Sequence, residues 1–360
     1  MMNTVFVACL ALGIAALFRW AFKTLPNERW QMIASVPVCK REDGAWEGLN
    51  LTFYGFFSAT GTVFGIAAAV LLLATIGVSP AVGLAFAAAM VAGCVPLSRA
   101  VAAIVEEKQN TFTIAGAAFM ASILLPPLVW FGEPVLRTAS NPKMYAIPVL
   151  AAIAIAYSLG EAIGRLACIS FGCCYGLPLR DASSLPARLF SHHYMIFHGS
   201  TKKVAYASGL ENQPLIPVQA LTSIVFGISG VLGLSLFLAR QWRLAMIVPV
   251  FGTWGWRAIA ETLRADHRGD AKSSWYQAMS IVAVAYLSLA ALALPASGPV
   301  PNLGRGLSQF RFLPVVLSLQ ALWVCLFLYY GRSRVTGAVL SFHVTVACLR
   351  PLTHTSTGHG

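Results

Sequence analysis

Apolar runs of about twenty residues recur along this chain, and they fix its solvent before any other feature does. The hydrocarbon core of a bilayer is about 30 Å thick, so a spanning helix needs roughly 20 apolar residues. Of the 360 residues, 58% are hydrophobic and only 11% are charged. A soluble domain carries about 25% charged residues. The chain is therefore expected to be an all-α polytopic membrane protein. Apolar segments at 3–22, 51–77, 80–105, 111–131, 145–171, 216–239, 244–264, 275–295 and 313–331 predict a bundle of about nine transmembrane helices. The first is read as a retained helix, since no Lys or Arg precedes it as in a signal peptide. Residues 335–349 are apolar but too short for a tenth span, and the tail from Pro351 reads as disordered.

Polar stretches divide the bundle. Residues 23–49 read as a mixed-charge loop, and Pro126-Pro127 is expected to break or kink the end of its helix. The longest polar segment, 177–215, holds three of the seven histidines (His192, His193 and His198) and predicts a small extramembrane arm, which the resemblance named below makes extracytoplasmic. Three parts follow: an extra N-terminal helix and loop at 1–49, a core at 50–296, and a C-terminal addition at 297–360. The formal charge of +12 suits membrane topology and anionic lipids. No basic block stands clear of the apolar segments, so no nucleic-acid partner is expected. The eight cysteines form no disulfide framework: Cys9, Cys94, Cys325 and Cys348 sit in apolar runs, and only Cys168, Cys173 and Cys174 cluster. Their C-x4-C-C spacing matches no standard zinc pattern, so no metal and no cofactor is expected.

Chemistry concentrates at Gly160–Gly176. There a membrane helix acquires Glu161 and Arg165, four residues apart and able to pair, and then breaks into Gly172, Cys173, Cys174, Tyr175 and Gly176. Charges at bilayer depth are costly and point to function. Gly160 and Gly164 form a GxxxG that admits a neighbouring helix. The plainer alternative is a structural salt bridge at a close-packed helix end. Further on, Arg257, Glu261 and Arg264 fall at i, i+4 and i+7, on one helical face. A guanidinium fork binds phosphate bidentately, so the pair of arginines suits a lipid phosphate. The alternative is a rim of charges snorkelling to the membrane surface. Tyr54 beside Gly55, and the isolated amide Gln219, sit at membrane edges and say little alone.

Taken in order, these motifs resemble the prolipoprotein diacylglyceryl transferase family. Gly164-Arg165 followed by Phe171-Gly172-Cys173-Cys174-Tyr175-Gly176 is similar to the family signature Gly-Arg-x-Gly-Asn-Phe-x-Asn-Gly-Glu-x-x-Gly. Phe53-Tyr54-Gly55 is similar to its early Tyr-Gly, Pro217-Val218-Gln219 to its His-Pro-x-Gln, and Arg257-x3-Glu261-x2-Arg264 to its late Arg-x3-Glu-x2-Arg. Arg99 matches an arginine that ends an early family helix. The resemblance spans roughly residues 50–290. Cys168 stands at the signature asparagine and Cys173 at its glutamate. Ile216 replaces the histidine of His-Pro-x-Gln, and the family's His-Gly-Gly falls near Thr113-Ile114-Ala115-Gly116, without its histidine.

The resemblance implies a transferase of the bacterial inner (cytoplasmic) membrane, with its active face towards the periplasm or exterior. It would move a diacylglyceryl group from phosphatidylglycerol, or a related anionic phospholipid, to an acceptor such as the lipobox thiol of a prolipoprotein signal peptide. Arg165 and Arg257 would hold the phosphate, and Glu261 would orient Arg257. Tyr54, Arg99, Cys168, Cys173, Gly176, Gln219 and Arg264 would line the substrate site. With the family histidine absent, His267 or the arm histidines would supply the base. The alternatives are a catalytically inactive phospholipid-binding scaffold or transporter of the same fold, or a transferase with a different acceptor. Helix counting puts the N-terminus inside and 23–49, the arm and 264–272 outside, although those segments hold four, four and three Lys/Arg against two in each inner loop.

Overall fold

The computed structural model describes residues 2–40, 42, 46–79, 82, 83, 93, 96, 97, 114–132, 145–266, 275–333, 339 and 340. Arg99, His267, most of the expected helix at 80–105 and the tail from Pro351 lie outside the described residues.

The protein is mostly helical, and six of its helices are long and apolar enough to cross a membrane. The long helices are α1 (Met2–Thr24), α2 (Phe53–Thr75), α3 (Ile114–Phe131), α4 (Ala146–Phe171), α7 (Val218–Leu238), α10 (Trp275–Ala293) and α12 (Leu313–Tyr330). Of these, α3 falls short as a span, its apolar part covering only Gly116–Phe131. Short helices α5 (Ser184–Leu189) and α6 (Lys203–Ser208) shape the arm, and α11 (Leu303–Ser308) caps the other end. The apolar segment at 244–264 is interrupted: α8 (Trp242–Val250), a π turn (Phe251–Gly255), α9 (Trp256–Ala260) and a 3-10 turn (Glu261–Leu263). Pro249 sits inside α8 and cannot donate a backbone hydrogen bond, and the widened turn follows directly. Pro126 and Pro127 do not break α3, which runs on to Phe131.

Helix α4 is the axis of the bundle. Most of its spanning window is buried, whereas α12 has no buried residue in its window. Glycine lets α2 reach α4. A Cβ on Gly61 would stand 2.6 Å from the Gly164 nitrogen, and one on Gly160 would stand 2.9 Å from the Gly61 oxygen. Gly61-x3-Gly65 thus lies on Gly160-x3-Gly164, backbone against backbone. Helix α7 is joined to α4 by Ser158 Oγ, which donates to the Phe226 carbonyl (2.8 Å) and lies 3.0 Å from Ser229 Oγ.

The loop expected at 23–49 is instead largely a hairpin. Strand β1 (Met32–Lys40) pairs antiparallel with β2 (Trp46–Thr52). Two short strands near the C-terminal side, β3 (Arg332–Ser333) and β4 (Val339–Leu340), also pair with β2. The N-terminal and C-terminal additions therefore meet. Thr52 donates to the Gly331 carbonyl through both its amide and its hydroxyl, each at 3.0 Å.

The arm docks on this same end. Gln31 Nε2 donates to the Thr201 carbonyl (2.8 Å), and the Thr201 hydroxyl donates to Gln31 Oε1 (2.7 Å). Lys202 is fully buried and donates to the Leu25 and Ser170 carbonyls at 3.2 and 2.6 Å. Burial pulls its ammonium down to about 7, with Glu28 pulling weakly the other way. Once freed into water, Lys202 would keep its proton up to its ordinary value of 10.5. The freed arm binds more protons between those values, so docking strengthens as pH rises from about 7 to about 10.5 and is weakest below. Limited proteolysis within 177–215 is expected to slow over that range, and Lys202→Met is expected to abolish the trend.

Candidate functional site

Three distant segments are stitched together where α4 ends. Gly172 closes the helix in the left-handed conformation (φ 72°), and the amides of Gly172 and Cys173 both donate to the Cys168 carbonyl, at 2.9 and 3.1 Å. Beyond this turn, the Leu177 amide donates to the Leu263 carbonyl (2.9 Å), the Ala265 amide to the Tyr175 carbonyl (3.1 Å) and the Ile216 amide to the Leu177 carbonyl (3.0 Å). Gly176 pairs with Arg264 as an isolated β-bridge, and a Cβ there would stand 2.3 Å from the Ile216 oxygen. No side chain fits at Gly176 without parting these segments. Gln219 completes the join, its Nε2 donating to the Cys173 carbonyl at 2.9 Å.

The join encloses a small polar cavity of about 20 Å³, lined among others by Arg165, Cys174, Gln219, Arg257, Glu261 and Arg264. Glu161 holds two of the arginines. Its Oε2 lies 3.0 Å from an Arg165 nitrogen and 3.8 Å from an Arg257 nitrogen. A carboxylate that meets Arg257 thus comes from α4, 96 residues away in the chain. Arg264 forms a fork with Asp266, at 2.7 and 2.6 Å, and Glu261 adds to the field at Arg264. Burial works against the Arg264 charge, and Cys174, Asp266 and Glu261 favour it. Two buried polar atoms at the cavity have no protein partner: Arg165 Nε, a donor, and Gln219 Oε1, an acceptor. Buried polar atoms are nearly always paired, so two orphans lining one cavity make it a place where a water or a ligand can bond.

Arg257 links this cavity to the residues of a second one, of about 300 Å³. Its lining is apolar, from Ala69 and Leu73 on α2, Ala118 and Leu125 on α3, and Val149 on α4. Tyr157 and Trp254 also line it, and Arg257 touches both. An Arg257 nitrogen donates to the Tyr157 hydroxyl at 3.4 Å, and its guanidinium lies 5.3 Å from the Trp254 ring centre. The π turn carries Trp254. Arg165 lies six residues before the end of α4, about 9 Å down the helix. An apolar cavity whose Tyr157 and Trp254 meet an arginine of the neighbouring polar site has the polarity of an amphiphile with an anionic head.

The sulfurs of Cys168, Cys173 and Cys174 lie within 4.8 Å of one another. Contacts from Cys168 and then Cys173 lower the Cys174 thiol well below its ordinary value, burial opposes this, and Arg264 and Arg165 assist it. Tyr54 feels the three cysteines and Arg165, and its ring meets Phe171 edge-on at 5.5 Å. The four motifs therefore converge on one place. The arm histidines do not join them: His192 and His193 are exposed, and His198 bonds Asn212 at 2.7 Å. Glu161 as the shared partner of two arginines was not foreseen, and its signal was a carboxylate inside an apolar run. A scan against protein-family models and a search of curated proteins each return no match to this chain.

Proposed function

We propose that the protein is a membrane transferase of the prolipoprotein diacylglyceryl transferase type, working at the outer face of a bacterial inner membrane. It takes a diacylglyceryl group from phosphatidylglycerol, or a related anionic phospholipid, and passes it to an acceptor such as a lipobox thiol. One observation carries this reading: Arg165 and Arg257 meet at one carboxylate oxygen and line one small cavity, and Arg257 also touches Tyr157 and Trp254 of an apolar one. The phosphate would sit against Arg165 Nε and the Arg257 fork, with an acyl chain in the apolar chamber. As the bond to glycerol breaks, charge grows on the leaving phosphate, and arginines already held in place stabilise it without reorganisation. The hairpin, the docked arm and Arg264 share one end of the bundle, as this orientation requires. Spans at 80–105 and 244–264 would bring the six helices towards the expected nine.

The test is purified full-length protein with phosphatidylglycerol labelled in its headgroup, with and without a lipobox peptide. Release of glycerol phosphate that requires the peptide, together with a peptide mass increased by one diacylglyceryl group, is the expected result. Release without peptide modification would redirect the search to another acceptor. Tight phosphatidylglycerol binding with no release under any acceptor would leave a lipid-binding scaffold, the reading favoured by the missing histidines and by the cysteines at positions 168 and 173.

A further inference from the structure

Three thiols converge beside the phosphate site, and the chemistry above does not use them. They are brought together by construction rather than by spacing. The left-handed cap at Gly172 folds the chain back over its own last turn, which sets Cys173 above Cys168. Cys174 itself has φ 57°, a conformation that a residue with a side chain adopts rarely and only when its surroundings impose it. Gln219 pins the Cys173 carbonyl, and the Lys202 and Val204 side chains press on Gly172, where a Cβ would stand 3.1 and 3.2 Å from them. Held this way, the three sulfurs fall within 4.8 Å of one another. Around a tetrahedral zinc ion, with bonds of about 2.3 Å, thiolates stand roughly 3.8 Å apart. Small side-chain rotations close that difference.

We propose that Cys168, Cys173 and Cys174 bind one thiophilic divalent cation of the zinc class, with the fourth position open to the arginine-lined cavity for the acceptor's sulfur. Soft thiolates select such a cation. Three protein ligands and one open position distinguish a catalytic site from a closed structural one. The charge balances as well: three thiolates and a divalent cation sum to one negative charge, next to Arg165 and Arg264. Cys174 lines the cavity that those arginines line, so the open position and the phosphate pocket are neighbours.

The acceptor's identity rests on the transferase reading, but the cation site does not. Within that reading, an acceptor thiol binds as thiolate and gives its proton to water, which removes the need for the histidine base the sequence lacks. The sulfur's electron pair then attacks the terminal glyceryl carbon of the donor lipid. A carbon–sulfur bond forms as the carbon–oxygen bond to phosphate breaks, and that bond's electrons leave with glycerol phosphate. The product is a neutral thioether, a weaker ligand than a thiolate, and it dissociates.

The experiment uses reduced full-length protein in detergent, without added phospholipid, titrated with cobalt(II) or zinc(II) chloride. Expected are one metal per chain by elemental analysis and a cobalt–thiolate charge-transfer band in the near ultraviolet. A Cys-containing lipobox peptide should shift the visible cobalt bands, and its Cys→Ser counterpart should not. Cys168→Ser and Cys173→Ser should each weaken cobalt binding about tenfold or more. Arg257→Ala, which touches none of the thiols, should bind cobalt normally. Absence of stoichiometric metal on the wild-type protein would overturn the proposal, as would a disulfide within the trio in protein taken from its membrane without reductant. A cobalt spectrum indifferent to the thiol peptide would overturn the open position. Cobalt binding and a peptide-shifted spectrum, without lipid transfer, would uphold the cation site and defeat the transferase reading alone.

Discussion

Arg165→Ala is expected to cut peptide-dependent glycerol phosphate release about 100- to 1,000-fold, through kcat more than KM. Arg165 combines two properties. One nitrogen is fixed by Glu161 at 3.0 Å, and Nε is buried with no protein partner. A group held rigid on one side and unpaired on the other is ready to meet charge that appears only as the bond breaks. Arg165→Lys should recover little, because an ammonium cannot serve Glu161 and a phosphate oxygen together as a planar fork does. Arg257→Ala should fall in the same range and weaken lipid binding more, since Arg257 also touches Tyr157 and Trp254 at the mouth of the apolar chamber. Tryptophan quenching with brominated phosphatidylglycerol would report that binding separately from turnover. If Arg165→Ala kept turnover within threefold of wild type, the phosphate would have to sit elsewhere.

Gly61→Leu is expected to have the largest effect on the fold. Even the first carbon of a side chain there would lie 2.6 Å from the Gly164 nitrogen, and the atoms in the way are backbone. Overpacking a core costs about 1–3 kcal/mol when side chains can yield. Backbone yields less, so α2 and α4 must part and the Glu161 site with them. Loss of the monodisperse peak in size-exclusion chromatography, or a large drop in unfolding temperature, is the expected readout. Gly13→Ala is the matched control: nothing lies within 4 Å of a Cβ there, so it should be neutral or slightly stabilising.

The apolar runs made α1, α2, α4, α7, α10 and α12 legible, because a bilayer imposes both their length and their composition. The β1–β2 hairpin was not legible in the same way. Strand β1 is mostly exposed and interrupted by Pro37, so its alternation is weak, and the surrounding charges suggested a loop. The one available signal was Asp43-Gly44 between two short runs, a dipeptide favoured in tight hairpins. Arg165 with Glu161 could be read from helical spacing, since four residues make one turn. The link from Glu161 to Arg257 could not, because it depends on how α4 and α9 sit in space. How closely the three clustered cysteines approach could not be read from spacing for a related reason. Spacing rules assume a regular backbone, and the left-handed turn at Gly172 brings residues 168, 173 and 174 together where a continuing helix would spread them around its surface.

The bond between Thr52 and Gly331 has a consequence for the order of assembly. Its partners lie 279 residues apart, and strand β2 pairs with segments made at both early and late stages of synthesis. At about 5–20 residues per second, the ribosome needs tens of seconds to supply the second partner. Throughout that interval β2 has one free edge, and Gly55 lacks the Gly331 backbone that later packs against it. Helix α12 therefore acts as a latch, and the sheet can close only after the five long spans before it have been made. A nascent chain stalled before Leu313 is expected to expose the hairpin to protease, and extension past Leu340 should protect it.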